Sequence, residues 1–186
     1  MIRFFDIIFS LIGLILLSPI ITILLIAGYF DTKSPIFKQE RIGKNKKPFN
    51  LYKFRSMYVN TKSVATHLAN YSSITKYGNF LRKSKLDELH QLFNVFKGDM
   101  SFVGPRPNLY NQEDLITERE KLGVYNVSPG ITGLSQINKI DMSTPKLLAE
   151  TDAQMLKNLT FKNYLIYILK TVTGKGFGDR IIKKEN

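Results

Sequence analysis

The chain has 186 residues, 44% of them hydrophobic, enough for one cored domain or a domain with a membrane element. Its 27 Lys and Arg against 15 Asp and Glu give a net charge of +12, which asks for an anionic partner: phospholipid headgroups, a phosphorylated substrate or nucleic acid. There is no cysteine and there are two histidines, His67 and His90, so disulfides and thiolate metal sites are excluded and an imidazole-built zinc site is a poor expectation.

Residues 7–30, IIFSLIGLILLSPIITILLIAGYF, carry no charge. As helix the run would reach ~36 Å, enough to cross ~30 Å of hydrocarbon. It is too long for the apolar region of a signal peptide, Asp6 offsets Arg3 ahead of it, and no small-x-small cleavage site follows. Ser18 and Pro19 sit at its centre. Proline has no N–H, so the Ile15 carbonyl loses a bond, and the Ser18 hydroxyl can bond back to a carbonyl and sharpen a bend. A bend there leaves two arms of about 12 residues, each too short to cross, with both ends on one face. A kinked spanning helix is the alternative, since proline is tolerated in those. Lys33, Lys38, Arg41, Lys44, Lys46 and Lys47 follow the run and place that end in the cytoplasm, where Arg3 is equally at home.

Residues 31–57 are rich in turns and then alternate. PIFKQERIG and FNLYKFRSM, joined by GKNKK, predict a hairpin beside the membrane. Residues 58–74 read as a loose helix. A helix over 86–97 buries Leu86, Leu89, Leu92, Phe93 and Phe96 on one stripe and ends at Gly98, with Asp87, Gln91 and Asn94 off the stripe. Asp87 and Glu88 then fall in its first turn, where free N–H groups favour acidic residues by ~0.3–1 kcal/mol each and Ser84 can serve as N-cap. That placement alone explains two adjacent carboxylates without any chemistry.

In GPRP, two prolines restrain Arg106, which suits fixed recognition of a phosphate, although a solvated surface turn is an equal reading. A helix is predicted over 111–123. Pro129, Gly130 and Gly133 mark a loop over 128–137, either a plain connector or a close backbone approach to a ligand. A last helix over 144–173 carries Phe161, Tyr164, Leu165, Ile168, Leu169 and Val172 on one face, for the core or the bilayer surface. The tail, GKGFGDRIIKKEN, reads as a flexible end or a lid.

Taken in order, these segments resemble the bacterial sugar transferase family, the monotopic phosphoglycosyl transferases. The likeness runs through Arg3 and Asp6, the Ser18-Pro19 break, PIFKQERIG, YKFRSM, the block GNFLRKSKLDELHQLFNVFKGDMSFVGPRP over 78–107, PGITGLSQI and Asp152. His90 stands where the family commonly has proline, and Ser135 near a position that is often tryptophan or alanine. The resemblance implies a helix-rich α+β fold: a re-entrant helix-break-helix over 1–30, then a catalytic domain over 31–186 on the cytoplasmic face of the bacterial inner membrane, with a small β-hairpin and amphipathic helices lying at the membrane interface. It implies transfer of a sugar 1-phosphate from a UDP-sugar, an N-acetylated and often deoxy hexose, to polyprenyl phosphate, with release of UMP, as the first membrane step of a bacterial glycan pathway.

In that resemblance Asp87 is the nucleophile, forming an aspartyl phosphosugar. Glu88, helped by Asp87, holds Mg²⁺. Arg82 and Arg106 bind phosphate and nucleotide, Lys53 and Arg55 are weaker phosphate candidates, and Gln136 comes from the PGITGLSQI match. Arg3 meets lipid headgroups. The competing class is a non-catalytic basic protein on a membrane surface, binding anionic lipid or nucleic acid. Nucleic acid is not expected, because no RNP-like aromatic motif, zinc finger or recognition helix is present.

Overall fold

The computed structural model describes residues 1–61 and 71–173. Most of the loose helix expected over 58–74, and the basic tail, lie outside those residues. The described chain is helix-rich α+β, as expected: seven α-helices and two separate two-stranded sheets.

Helix α1 runs Ile2–Thr32 without interruption. The break expected at Ser18-Pro19 is not a gap in the helix; Pro19 sits inside it. The Ser18 hydroxyl donates to the Ile15 carbonyl at 2.8 Å, the acceptor that Pro19 leaves unbonded. One side of α1 is exposed and apolar, including Phe4, Leu11, Ile15, Leu16, Ile23 and Phe30. The other side packs on the rest of the protein through residues that include Asp6, Ser10, Leu24 and Gly28.

At the start of α1, the buried Asp6 carboxylate accepts from Ser101 Oγ (3.0 Å), Phe102 N (3.0 Å) and Tyr164 Oη (2.9 Å). Burial beside that carboxylate pushes the Tyr164 phenol well above its usual range. Arg3, expected at lipid headgroups, is exposed and donates to the Val95 and Phe96 carbonyls. At mid-helix Gly13 sits against Leu92. Near the end, Tyr77 Oη donates to the Leu24 carbonyl at 2.7 Å, and Thr75 Oγ1 donates to Asp31 at 2.7 Å.

Strands β1 (Ile36–Ile42) and β2 (Pro48–Phe54) form the expected antiparallel hairpin, with Ile36 opposite Phe54 and Ile42 opposite Pro48. Helix α2 spans Lys76–Ser84, capped by Thr75 Oγ1 accepting from Gly78 N at 2.8 Å. Gly78 is required by close approach: a Cβ there would stand 2.0 Å from the Ser56 carbonyl oxygen. Lys85 takes the left-handed conformation (φ 59°) and stops α2. A 3-10 turn, Leu86–Glu88, follows, and then helix α3, Gln91–Lys97, closed by Gly98.

The single helix expected over 86–97 is therefore a turn and a shorter helix. Ser84 ends α2 and caps nothing ahead: its hydroxyl donates back to the Phe80 carbonyl at 2.8 Å. The buried face also differs. Gln91, Leu92, Asn94 and Val95 point inward, while Phe93 and Phe96 are 47% and 39% exposed. Asn94 explains the rotation: it accepts from Tyr52 N and donates to the Asn50 carbonyl, pairing with the backbone of β2.

Strands β3 (Ser101–Val103) and β4 (Gly130–Thr132) pair in parallel. Helix α4 covers Glu113–Lys121 and a short α5 covers Leu134–Ile137. The helix expected over 144–173 is two, α6 (Pro145–Lys157) and α7 (Phe161–Val172). Thr160 caps α7 by accepting from Asn163 N. Two core patches meet α1, with Val103, Met155, Tyr164 and Tyr167 at its first half and Leu24, Phe54 and Leu81 at its second; others lie away from it, including Leu115, Leu148 and Ala149 between α4 and α6.

Replacing Asp6 with Ala leaves three donors in the interior without their acceptor. We expect Asp6→Ala to lower stability by about 2–4 kcal/mol and Asp6→Asn, which keeps an oxygen there, by less. Urea unfolding in detergent measures both; equal losses would refute the acceptor role.

Candidate active site

Asp87 and Glu88 occupy the 3-10 turn between α2 and α3. Asp87 is 5% exposed, and β2 packs against the turn that carries it. Glu88 is paired: Arg106 Nη2 donates to its Oε1 at 2.9 Å, with both side chains mostly buried. The structure thus brings together the carboxylate pair and the Pro-Arg-Pro arginine, 18 residues apart in sequence.

The loop carrying Arg106 is fixed from behind. Gly104 N donates to the Thr132 carbonyl, and Gly130 N to the Pro105 carbonyl, both at 2.9 Å. A Cβ on Gly130 would lie 2.0 Å from Gly104 N, so only glycine admits this crossing. Arg119 of α4, 1% exposed, donates to the Arg106 carbonyl and to Asn108 Oδ1, each at 2.9 Å. Its other nitrogens reach Asp152 Oδ2 at 2.6 and 3.1 Å, and Ser135 Oγ donates to the other Asp152 oxygen. Arg41, read in the sequence as one of a positive cluster following the membrane run, is buried and donates to the Pro107 carbonyl at 3.1 Å. The sequence pointed to Asp152, but Arg119 was missed: a cation in EREK reads as part of a solvated helix face.

The remaining candidates divide. Arg82, in the last turn of α2, donates from Nε to Ser56 Oγ at 2.8 Å. Lys53 is buried in β2. Arg55 lies outside this cluster: it clasps Ser34 and the Ile36 carbonyl, stacks over Phe37, and burial lowers its pKa. Gln136 is buried behind the loop, with Nε2 directed at the Gly104 carbonyl. His90 packs edge-on to Phe54, and burial lowers its pKa.

Among the described residues, no three His, Asp or Glu side chains group to hold a metal by themselves. Two adjacent carboxylates match the donor set of Mg²⁺, which takes one or two carboxylates and completes its octahedron with water and substrate phosphate.

A family model described as bacterial sugar transferase matches residues 1–176. The chain belongs to the bacterial sugar transferase family. A UDP-glucose:undecaprenyl-phosphate glucose-1-phosphate transferase of Klebsiella pneumoniae is 45% identical over 73% of the chain. An undecaprenyl-phosphate galactose phosphotransferase of Salmonella typhimurium is 36% identical over 91%. The chain spans only 30% and 39% of those two proteins. It spans 79% of the uncharacterized sugar transferase EpsL of Bacillus subtilis, which is 39% identical over 86% of the chain.

Removing one partner of the Arg119–Asp152 pair leaves a buried charge uncompensated. We expect Arg119→Met to cost about 3–5 kcal/mol, and Asp152→Asn, which keeps hydrogen-bonding capacity, to cost less. Thermal unfolding of the purified variants checks this; an unchanged midpoint for Arg119→Met would remove the pair from the loop's support.

Proposed function

We propose that the chain is a phosphoglycosyl transferase that moves a sugar 1-phosphate from a UDP-linked, N-acetylated hexose to undecaprenyl phosphate at the cytoplasmic face of a bacterial inner membrane. The observation that carries this reading is the buried Asp87 beside the Glu88–Arg106 pair, on a body with a 31-residue apolar helix along one side. Family membership and the names of the relatives support sugar-phosphate transfer to undecaprenyl phosphate; the N-acetylated sugar and the membrane face are this reading's own.

The chemistry runs in two displacements. An Asp87 carboxylate oxygen bonds to the β-phosphorus of the UDP-sugar, the bond from that phosphorus to the bridging oxygen breaks, and UMP leaves with the electron pair. An oxygen of undecaprenyl phosphate then bonds to the same phosphorus, and Asp87 departs as free carboxylate. An aspartate is a weak nucleophile, so the rate comes from position and from cations on the phosphate oxygens. Arg106 supplies one. In the substrate-free protein it pairs with Glu88; an incoming diphosphate competes for the guanidinium and releases Glu88. Glu88 and Asp87 would hold Mg²⁺, which when bound neutralises charge on the diphosphate.

In this reading α1 enters and leaves the bilayer on one side. Its exposed apolar side faces lipid, and the Ser18 hydroxyl keeps the Ile15 carbonyl bonded at membrane depth. Undecaprenyl phosphate stays in the bilayer and the UDP-sugar stays in water, so the site sits where both arrive.

Asp87→Asn is expected to cut UMP release by at least about a thousandfold in nanodiscs. With the lipid acceptor withheld, intact-mass spectra of the parent chain should gain one sugar phosphate, lost in the variant. Undiminished turnover would dismiss Asp87 as the nucleophile. Because the chain has no cysteine, a cysteine inserted after Met1 and Lys33→Cys give single labelling sites. Both should react with an impermeant maleimide in inside-out vesicles and neither in right-side-out vesicles; opposite sidedness would establish a spanning helix.

A further inference from the structure

We infer that Ser56 is a positioning residue for Arg82, holding its guanidinium so that an inward nitrogen meets a phosphate oxygen of the diphosphate substrate. The inference rests on the reaction proposed above and adds to it a residue acting from behind the site.

Ser56 lies two residues past the end of β2 and is 8% exposed. Its hydroxyl accepts from Arg82 Nε at 2.8 Å. Ser56 itself has little freedom. Its carbonyl accepts from Thr75 N at 3.2 Å, and Gly78 of α2 lies directly on that carbonyl. Thr75 in turn caps α2 and bonds Asp31 at the end of α1. The hydroxyl is therefore a fixed point, and Arg82, one turn along α2 from Gly78, is held against it.

What the hydroxyl leaves undone is the informative part. Arg82 Nη1 is buried and has no acceptor among the described residues. A guanidinium N–H facing the interior unpaired is costly, and a folded protein seldom keeps one without a partner to come. No carboxylate pairs with Arg82 among the described residues, in contrast to Arg106 and Arg119. An acidic residue at position 56 would hold Arg82 more tightly but would neutralise it. A hydroxyl orients the planar fork and leaves the positive charge for an anion. Arg82 stands in the last turn of α2, and the 3-10 turn bearing Asp87 begins two residues after α2 ends.

The test uses the full chain in nanodiscs. Ser56→Ala is expected to raise the KM for the UDP-sugar about tenfold with kcat within about twofold, because an oriented charge-assisted contact acts on substrate and transition state alike. Ser56→Thr, which keeps the hydroxyl, should restore most of the affinity. In an Arg82→Ala background Ser56→Ala should add nothing, since its effect passes through Arg82. A parental KM for Ser56→Ala, an alanine-like KM for a folded Ser56→Thr, or full additivity with Arg82→Ala would each overturn the role. If the parent chain turns over and Asp87→Asn does not, such a result sinks Ser56 alone. A parent chain that releases no UMP sinks the reaction and this role with it.

Discussion

Everything else in this protein is arranged around an apolar helix bound at both ends to the same body. Thirty-one residues at 1.5 Å per residue give ~46 Å of helix, more than a bilayer's hydrocarbon core. Arg3 and Asp6 are tied to α3, β3 and α7, while Leu24 and Asp31 are tied to α2 and its cap. In the proposed reading, these ties keep both ends of the helix on the side of the membrane that holds the polar domain. The same bonds place the elements that matter for chemistry. The first turn of α1 holds the strand leading to Arg106, and the last turn holds the cap of the helix leading to Asp87.

Buried charge is the second organising feature. An isolated buried ion costs several kcal/mol, so each must be matched. Asp6 is matched by three neutral donors, Arg119 by Asp152 and two backbone or amide acceptors, and Glu88 by Arg106. These matches differ in permanence. The first two lie in the interior and hold segments together. The Glu88–Arg106 pair is partly accessible and joins two groups that anionic substrate and cation would each claim. Of the two interior matches, Arg119 also holds the Arg106 carbonyl, so the loop backbone is fixed while the Arg106 side chain pairs with Glu88.

Much of the fold was legible in the sequence because its signals are long or doubled. An uncharged run of residues 7–30 has no other reading than an apolar helix, and two alternating stretches around GKNKK allow only a hairpin. The pair Asp87-Glu88 was expected in the first turn of a helix, but it stands in a 3-10 turn ahead of a shorter one. Apolar spacing over 86–97 fits a helix, and nothing in a lysine announces the left-handed conformation that Lys85 adopts. Phe93 and Phe96 were placed inside because they are large and apolar, yet Asn94 wins the interior by bonding two backbone groups of β2. The three-residue strands β3 and β4 are too short to show a period. Asp6 counted as an offset to Arg3, and Arg41 as one of many cations; only tertiary structure shows either as a buried tie.

The place of Asp87, the proposed nucleophile, follows from these constraints. In the first turn of a long helix, Asp87 would face free N–H groups that stabilise its charge and reduce its reactivity. The structure instead sets it in a 3-10 turn, after a left-handed residue that ends one helix and before the start of the next. Asp87 is kept from water, and β2 packs against the turn that carries it. The short turn between α2 and α3, which spacing alone could not reveal, is in this sense the element on which the proposed chemistry depends.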